Sequence, residues 1–335
     1  MWNAVIVDRD YGSVSLDKQE FLKHEYSKYG INVRIEHFKT PEEILNSCKD
    51  ADALLCLGNP PITKAVLEGL PNVKVVQRFG IGVNSVDLDV ATKMGTLVLN
   101  MPGFCIEELA IHATGLILDL LRNISYYDRE LRQGEWKKAQ GPVPRNPKDL
   151  VLGLYGFGGS AKCLYKIFHD GFGTKVIASD PYVEQTELDV EMVSFDSLLK
   201  ESDIISLHAP LTPETKHIFN KSAFAKMKND SIIINISRGE LIQQEDLTQA
   251  LAEGQIGFAG LDVFAKEPLP AGDPLFQCDR AVLTPHSAFY GVNSTQNQLS
   301  LALELVNDVL NHSCVTGRYI ANKGVQSKIA HFTIK

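Results

Sequence analysis

Two groups of residues in this chain have the types and spacing to do chemistry. The first is a glycine turn. An apolar run, residues 150–155, leads into Gly156-x-Gly158-x-x-Ala161, and a helical pattern follows. Gly156 permits a tight turn, and Gly158 lets the backbone come close to a pyrophosphate. Gly159 and Ser160 set free N–H groups at a helix N-terminus, where the macrodipole favours an anion. Ala161 stands where a third glycine is frequent, and its small side chain still allows close helix–strand packing. The strand-like run 175–179 then ends in Asp180, 24 residues after Gly156. A carboxylate there accepts hydrogen bonds from ribose hydroxyls and repels a 2′-phosphate, and the chain continues Pro181-Tyr182 with no arginine to receive one. This pattern reads as a site for NAD in preference to NADP. The plainer alternative is a glycine turn, with Asp180 an ordinary turn acid before Pro181.

The second group is Arg238, Glu267 and His286. Arg238 follows the run 232–237, Glu267 follows 260–264, and His286 follows 281–285. In a doubly wound sheet, ligands bind beyond the carboxyl ends of the strands, so polar residues just past three such runs converge on one crevice. Each has a bland reading alone: a helix-entry charge before Gly239, a solvated turn at Glu267-Pro268, a structural histidine after a proline. Together, downstream of a dinucleotide turn, they read as a reaction centre.

The elements that must position these residues are legible as an alternating pattern. Residues 4–7, 32–36, 53–57, 73–77 and 96–99 read as strands, with helical stretches near 17–29, 41–48, 63–69 and 86–94. Pro41 after Thr40 suits a first helical turn. Such alternation implies mainly parallel sheets with helices on both faces, an α/β fold. A longer helix begins after Met101-Pro102-Gly103, with Leu109, Ala113, Leu116 and Leu120 on one face. The stretch 140–147, rich in glycine and proline, is the strongest loop signal, and a second alternating series runs from 150 to about 285. A helical pattern over 292–312 is expected to return to the first domain, and the polar stretch 316–335 has no assignable structure.

Composition bounds the remaining classes. The chain has 335 residues, 44% hydrophobic and 22% charged, which is ordinary for a globular protein of two domains. Its net charge of −8 and lack of a basic stripe speak against nucleic acid. No apolar run reaches the length of about 20 residues that spans a bilayer, and the N-terminus lacks a secretory leader pattern. The six cysteines, Cys48, Cys56, Cys105, Cys163, Cys278 and Cys314, form no CxxC pair. That spacing argues against structural zinc or another metal site, and for a reducing, cytoplasmic setting.

Read in order, RFGIGVNSVD, GLYGFGGSA with Asp180, HAPLTPET, NISRGELI, GLDVFAKEP and TPHSAFY resemble the NAD-dependent D-isomer-specific 2-hydroxyacid dehydrogenases, from about residue 61 to about 311. That family includes phosphoglycerate, glyoxylate and D-lactate dehydrogenases. The resemblance implies a Rossmann NAD-binding domain, residues 102–290, inserted in a flavodoxin-like substrate domain made of 1–101 plus 291–335, with the active site between them.

It also implies roles. Arg238 would bind the substrate carboxylate and polarise the 2-keto oxygen. His286 would be the general acid/base, with Glu267 orienting the imidazole and favouring its protonated form. The backbone N–H groups of Gly80, Ile81 and Gly82 would clamp the carboxylate. His208, Pro210 and Thr215 would lie along the cofactor, and Ile236, Ser237, Arg238 and Asp262 would face its nicotinamide end. The substrate would be a small 2-keto or 2-hydroxy acid, and the chain a homodimer through the NAD-binding domain.

Asn84-Ser85 and Ile111 depart from the residues frequent at those places in the family, which bears on substrate preference. Phe289-Tyr290 resembles the D-lactate and C-terminal-binding-protein branches, whereas RFGIG is closer to the phosphoglycerate and glyoxylate branches; the two aromatics could equally be core packing. No appended regulatory domain is expected after residue 335. The alternative to an enzyme is an NAD-sensing, corepressor-like binding protein on the same fold, since those proteins keep the same three polar residues.

Overall fold

In the computed structural model of the chain, residues 1–8, 16–329 and 331–335 are described. They separate into two compact units, Met1–Phe104 with Gly291–Lys335, and Cys105–Tyr290. Each is an α/β unit built on a parallel sheet.

The first unit carries β1 (Trp2–Ile6), β2 (Ile31–Ile35), β3 (Ala53–Cys56), β4 (Val75–Arg78) and β5 (Leu97–Leu99), in the order β2-β1-β3-β4-β5. Its crossover helices are α1 (Leu16–Ser27), α2 (Pro41–Ser47), α3 (Lys64–Gly69) and α4 (Leu88–Met94). This is the order of a flavodoxin-like doubly wound sheet. Helices on both faces require strands that are apolar on both faces, and every residue of β3 is buried. Thr40 caps α2, its hydroxyl accepting from the Glu43 N–H at 3.4 Å, with Pro41 in the first turn.

The second unit opens with α5 (Ile106–Arg122) and α6 (Ile124–Arg132). Ala113, Leu116 and Leu120 of α5 are buried, and Leu109 is packed at the edge of the same core. Asn123, at φ +56°, ends α5 and starts α6, a break the hydrophobic periodicity does not signal. There follow β6 (Val151–Tyr155), α7 (Gly159–Phe172), β7 (Lys175–Ser179), β8 (Glu191–Met192), α8 (Phe195–Glu201), β9 (Ile204–Leu207), α9 (Lys221–Phe224), β10 (Ile232–Asn235), α10 (Gln244–Ala252), β11 (Phe258–Leu261) and β12 (Ala281–Leu283). The sheet order is β12-β11-β10-β9-β6-β7-β8. The winding therefore reverses between β6 and β9, and a crevice opens at their carboxyl ends. The three isoleucines of β10 are fully buried, each contributing about 1.5–3 kcal/mol relative to exposure.

The chain then returns to the first unit. Ala302, Leu305, Val306, Val309 and Leu310 of α11 (Val292–His312) share a core with Ala4, Ile6, Leu97 and Leu99. The polar tail has a defined structure: β13 (Cys314–Val315) pairs with β14 (Thr333–Ile334), and Ile320, Val325 and Ile329 are buried. Asn322 anchors it, its Oδ1 accepting from the Val98 N–H and its Nδ2 donating to Thr96 O, both at 3.0 Å. No helix among the described residues is long and apolar enough to cross a membrane.

Candidate active site

Gly156 ends β6 at φ +85°, and a Cβ there would lie 2.6 Å from the backbone nitrogen of Ala209, which follows β9. Only glycine satisfies both the dihedral and the space. Gly158 caps α7 without a side-chain bond to the first-turn amides, and a Cβ on it would meet nothing within 4 Å. Unclaimed N–H groups thus face open space at a helix N-terminus, the arrangement a pyrophosphate requires. The hydroxyl of Ser160 pairs with His208, at 3.0 Å from Nδ1.

Asp180 closes β7 beside this turn. Its Oδ2 accepts from the Phe157 N–H at 2.8 Å and its Oδ1 from the Tyr182 N–H at 2.9 Å. Each carboxylate oxygen keeps a lone pair for a ribose hydroxyl. Across the crevice, Ser206 Oγ bonds the other ring nitrogen of His208 at 3.0 Å. Burial pushes the His208 imidazole down to about 3, so it stays neutral at physiological pH. Thr215 Oγ1 donates to Pro210 O at 2.8 Å, and Ser237 Oγ donates to Ala209 O at 2.6 Å, tying the segments after β9 and β10 together. Ile236 is buried between them and the core. The turn, the acid and the open amides fit a dinucleotide.

At the neighbouring strand ends, buried Asn235 shapes the turn that presents Arg238. Its Nδ2 donates to Arg238 O at 2.8 Å, and its Oδ1 accepts from the Ser237 N–H at 3.1 Å. Gly239 follows immediately; a Cβ there would fall 1.9 Å from the carbonyl carbon of Phe264, so this backbone packs directly against the segment leading to Glu267. Glu267 Oε1 accepts from the Phe264 N–H at 3.0 Å, and Oε2 lies 2.6 Å from His286 Nδ1. Partial burial alone would raise the Glu267 carboxyl. The hydrogen bond and charge of His286, the Phe264 amide and the Arg238 charge outweigh it and hold the group below its ordinary value. His286 Nε2 makes no hydrogen bond among the described residues, and the side chain is 44% exposed.

His286 sits at φ +51°, which a non-glycine residue holds only when its surroundings impose it. Asp262, 1% exposed, imposes it. Its backbone oxygen accepts from the His286 N–H at 2.7 Å. Its Oδ1 accepts from Thr284 Oγ1 at 2.6 Å and the Ser287 N–H at 2.8 Å, and its Oδ2 from the Ala288 N–H at 2.9 Å. His112 of α5 lies 2.9 Å from Thr284 Oγ1; because that hydroxyl donates to Asp262, the imidazole Nε2 is the donor. The Phe289 ring stands edge-on to His286 at 6.2 Å, and Tyr290 is exposed.

In the first unit, the loop after β4 holds Gly80, Ile81 and Gly82. Their carbonyls accept from the Met101 N–H at 2.9 Å, Asn100 Nδ2 at 2.7 Å and Arg78 Nε at 2.8 Å respectively. Their own N–H groups make no hydrogen bond among the described residues.

Arg238, Glu267 and His286 are therefore brought together, and Gly156–Ser160, Asp180 and His208 lie just past the carboxyl ends of β6, β7 and β9. Three contributors escape sequence reasoning. Asn235 is hidden in an isoleucine run, Gly239 has only its place after Arg238 as a signal, and His112 lies 172 residues from Thr284.

The family model for the NAD binding domain of D-isomer specific 2-hydroxyacid dehydrogenases matches residues 114–288. A glyoxylate reductase of Korarchaeum cryptofilum is 36% identical, over 80% of this chain and 85% of that protein. A hydroxypyruvate reductase of Thermotoga maritima is 36% identical over 84% and 91%. Among solved structures, a D-lactate dehydrogenase from Aquifex aeolicus, complexed with NAD and lactic acid, superposes with a TM-score of 0.83 at 25% identity, covering 92% of this chain and 96% of that one.

Proposed function

The chain belongs to the D-isomer-specific 2-hydroxyacid dehydrogenase family and is an NAD-dependent oxidoreductase; on that footing we propose that it reduces a small 2-keto acid to the D-2-hydroxy acid, and runs the reverse. The observation that carries the reading is the pair His286 Nδ1–Glu267 Oε2 at 2.6 Å, with Nε2 left free. Glu267, held ionised, accepts from Nδ1–H and so leaves Nε2 to carry the exchangeable proton. His286 passes that proton to the carbonyl oxygen while the carbonyl carbon takes up the hydride. NADH, when bound, supplies the hydride. Arg238, always charged, binds the carboxylate and draws electron density onto the keto oxygen, a load its planar fork suits.

The amides of Gly158, Gly159 and Ser160 receive the pyrophosphate, and Asp180 the adenosine ribose; their support is the open turn and the spare lone pairs of the acid. His208, Pro210 and Thr215 border the dinucleotide, and Ile236 and Ser237 its nicotinamide end. Asp262 serves that end through the loop it holds. The amides of Gly80, Ile81 and Gly82 take the substrate carboxylate. A homodimer through the NAD-binding unit is part of the reading, supported by α6, which buries none of its residues while Ile124, Leu131 and Trp136 stay exposed. A cytoplasmic setting is supported by six unpaired cysteines.

The test is NADH absorbance followed with glyoxylate, pyruvate, hydroxypyruvate and phenylpyruvate. The wild type should turn over at least one, and His286→Ala should lower kcat by about 10³-fold with NADH binding kept. No turnover of any by the wild type would favour the NAD-sensing alternative, and an undiminished His286→Ala would remove the assigned proton donor.

A further inference from the structure

A trans peptide is planar, and its C=O and N–H point in opposite directions. A bond that fixes one carbonyl therefore aims the amide of the next residue the other way. Along the loop after β4, this rule operates at three consecutive peptides. Gln298 Nε2 donates to Phe79 O at 2.9 Å and so aims the Gly80 N–H. The Met101 N–H, on Gly80 O, aims the Ile81 N–H. Asn100 Nδ2, on Ile81 O, aims the Gly82 N–H. Arg78 Nε then pins Gly82 O, and its Nη1 donates to Cys56 O at 3.0 Å, which locks the guanidinium to two backbone segments.

Three amides are left without a hydrogen bond among the described residues, while every carbonyl behind them is engaged. Successive N–H groups held in this way make a cradle for an anion, and the nearby guanidinium charge adds to its positive field. The tethers come from distant parts of the first unit. Gln298 lies on α11, 219 residues from Phe79, and is only 6% exposed although its neighbours in sequence are mostly polar. Burying a side-chain amide there costs free energy unless it is bonded, and Phe79 O is its bonded partner.

We propose that Gln298 and Asn100 are positioning residues, which orient the amides of Gly80 and Gly82 to receive the carboxylate of the substrate. This rests on the 2-keto acid reading above. The carboxylate is unchanged between substrate and transition state, so the two residues act on binding of both alike and set KM more than kcat.

The experiment compares the full-length wild type with Gln298→Leu, which keeps the volume and removes the donor, and with Asn100→Ala. Each variant should raise KM for the keto acid by about tenfold, as loss of one hydrogen bond's orientation predicts, with kcat and NADH affinity within about twofold. A second arm reads binding without turnover. Oxamate, an unreactive 2-keto acid mimic, should raise the Tm of the wild type and raise that of each variant less. Wild-type KM and a wild-type oxamate shift in the variants would overturn the proposal, as would a parallel loss of kcat and NADH affinity, which would mark a merely structural role. A wild type that reduces no keto acid would remove the dehydrogenase reading and leave the oxamate arm to decide the cradle. There, an oxamate shift in the wild type that the variants lose supports it, and no shift in the wild type overturns it. Either variant decides alone if the other fails to fold.

Discussion

Two loops at strand ends, one in each unit, solve opposite problems with the same backbone. Residues 79–82, after β4, bond all four carbonyls, while the amides of Gly80, Ile81 and Gly82 make no hydrogen bond among the described residues. Residues 284–288, after β12, have their amides consumed instead: those of His286, Ser287 and Ala288 all donate to Asp262, through its backbone oxygen and both carboxylate oxygens. The first loop presents backbone donors and suits an anion that must be held. The second has none to present; what it offers is a side chain, the imidazole of His286, fixed at a φ that it would not choose alone. The polarity of the anchoring residue decides which face of the peptide is left for the ligand. Amide donors from Gln298 and Asn100 free the N–H side, and an acid, Asp262, consumes it.

The largest expected effect follows from removing that acid. Asp262→Ala strands the Ser287 and Ala288 N–H groups in a buried place and releases Thr284, so it should cost about 3–5 kcal/mol of stability. It should also lower kcat, because the loop carrying His286 would then be held only through the His286 N–H, by the backbone oxygens of residues 262 and 284. Denaturant unfolding and kcat on the same preparation check this. A variant that lost stability and kept its kcat would break the comparison, since the loop would then place its histidine without its amides being held.

A smaller effect is expected one step out. Glu267→Gln keeps a group of the same size against His286 Nδ1 and the Phe264 N–H but removes the charge. The amide can accept from Nδ1–H but no longer stabilises the protonated ring, so kcat should fall by about 10²-fold while stability near neutral pH changes little. An unchanged kcat would mean that the loop alone prepares the imidazole.

What the sequence displayed of this contrast was the chemistry and not the support. Arg238, Glu267, His286 and the turn from Gly156 to Ser160 were legible because short runs of apolar residues end beside them, and strand ends are where a parallel sheet delivers its ligands. Alternating strands and helices showed the α/β class for a similar reason: burial on both faces leaves continuous apolar runs. The anchors were not legible. Asn235 closes an isoleucine run and Gln298 sits in a polar stretch of α11, and nothing local tells whether such a residue is bonded to a backbone group or merely tolerated. His112 and Thr284 meet only once the sheet has closed. The tail from 316 onward has its structure for the same non-local reason, since Asn322 finds Thr96 and Val98 more than 220 residues away.

The smallest effect concerns the second histidine of the same unit. His286 has one ring nitrogen bonded and one free, and it is half exposed; His208 has both bonded, to Ser160 and Ser206, and burial holds it down at about 3 from an ordinary 6.5. Between those two values the unfolded chain binds a proton at this position that the folded chain refuses. Stability from His208 is therefore fully present above pH 6.5 and is lost as pH falls from there toward 3. His208→Asn should remove about one proton from the uptake that accompanies unfolding near pH 4.5, and so flatten the fall of stability between pH 7 and 4.5. Urea unfolding of wild type and variant at those two pH values reads the difference directly. Equal slopes would mean that His208 takes up its proton in the folded state, and the neutral, doubly bonded imidazole at the dinucleotide crevice would no longer stand as the counterpart of the proton-carrying one.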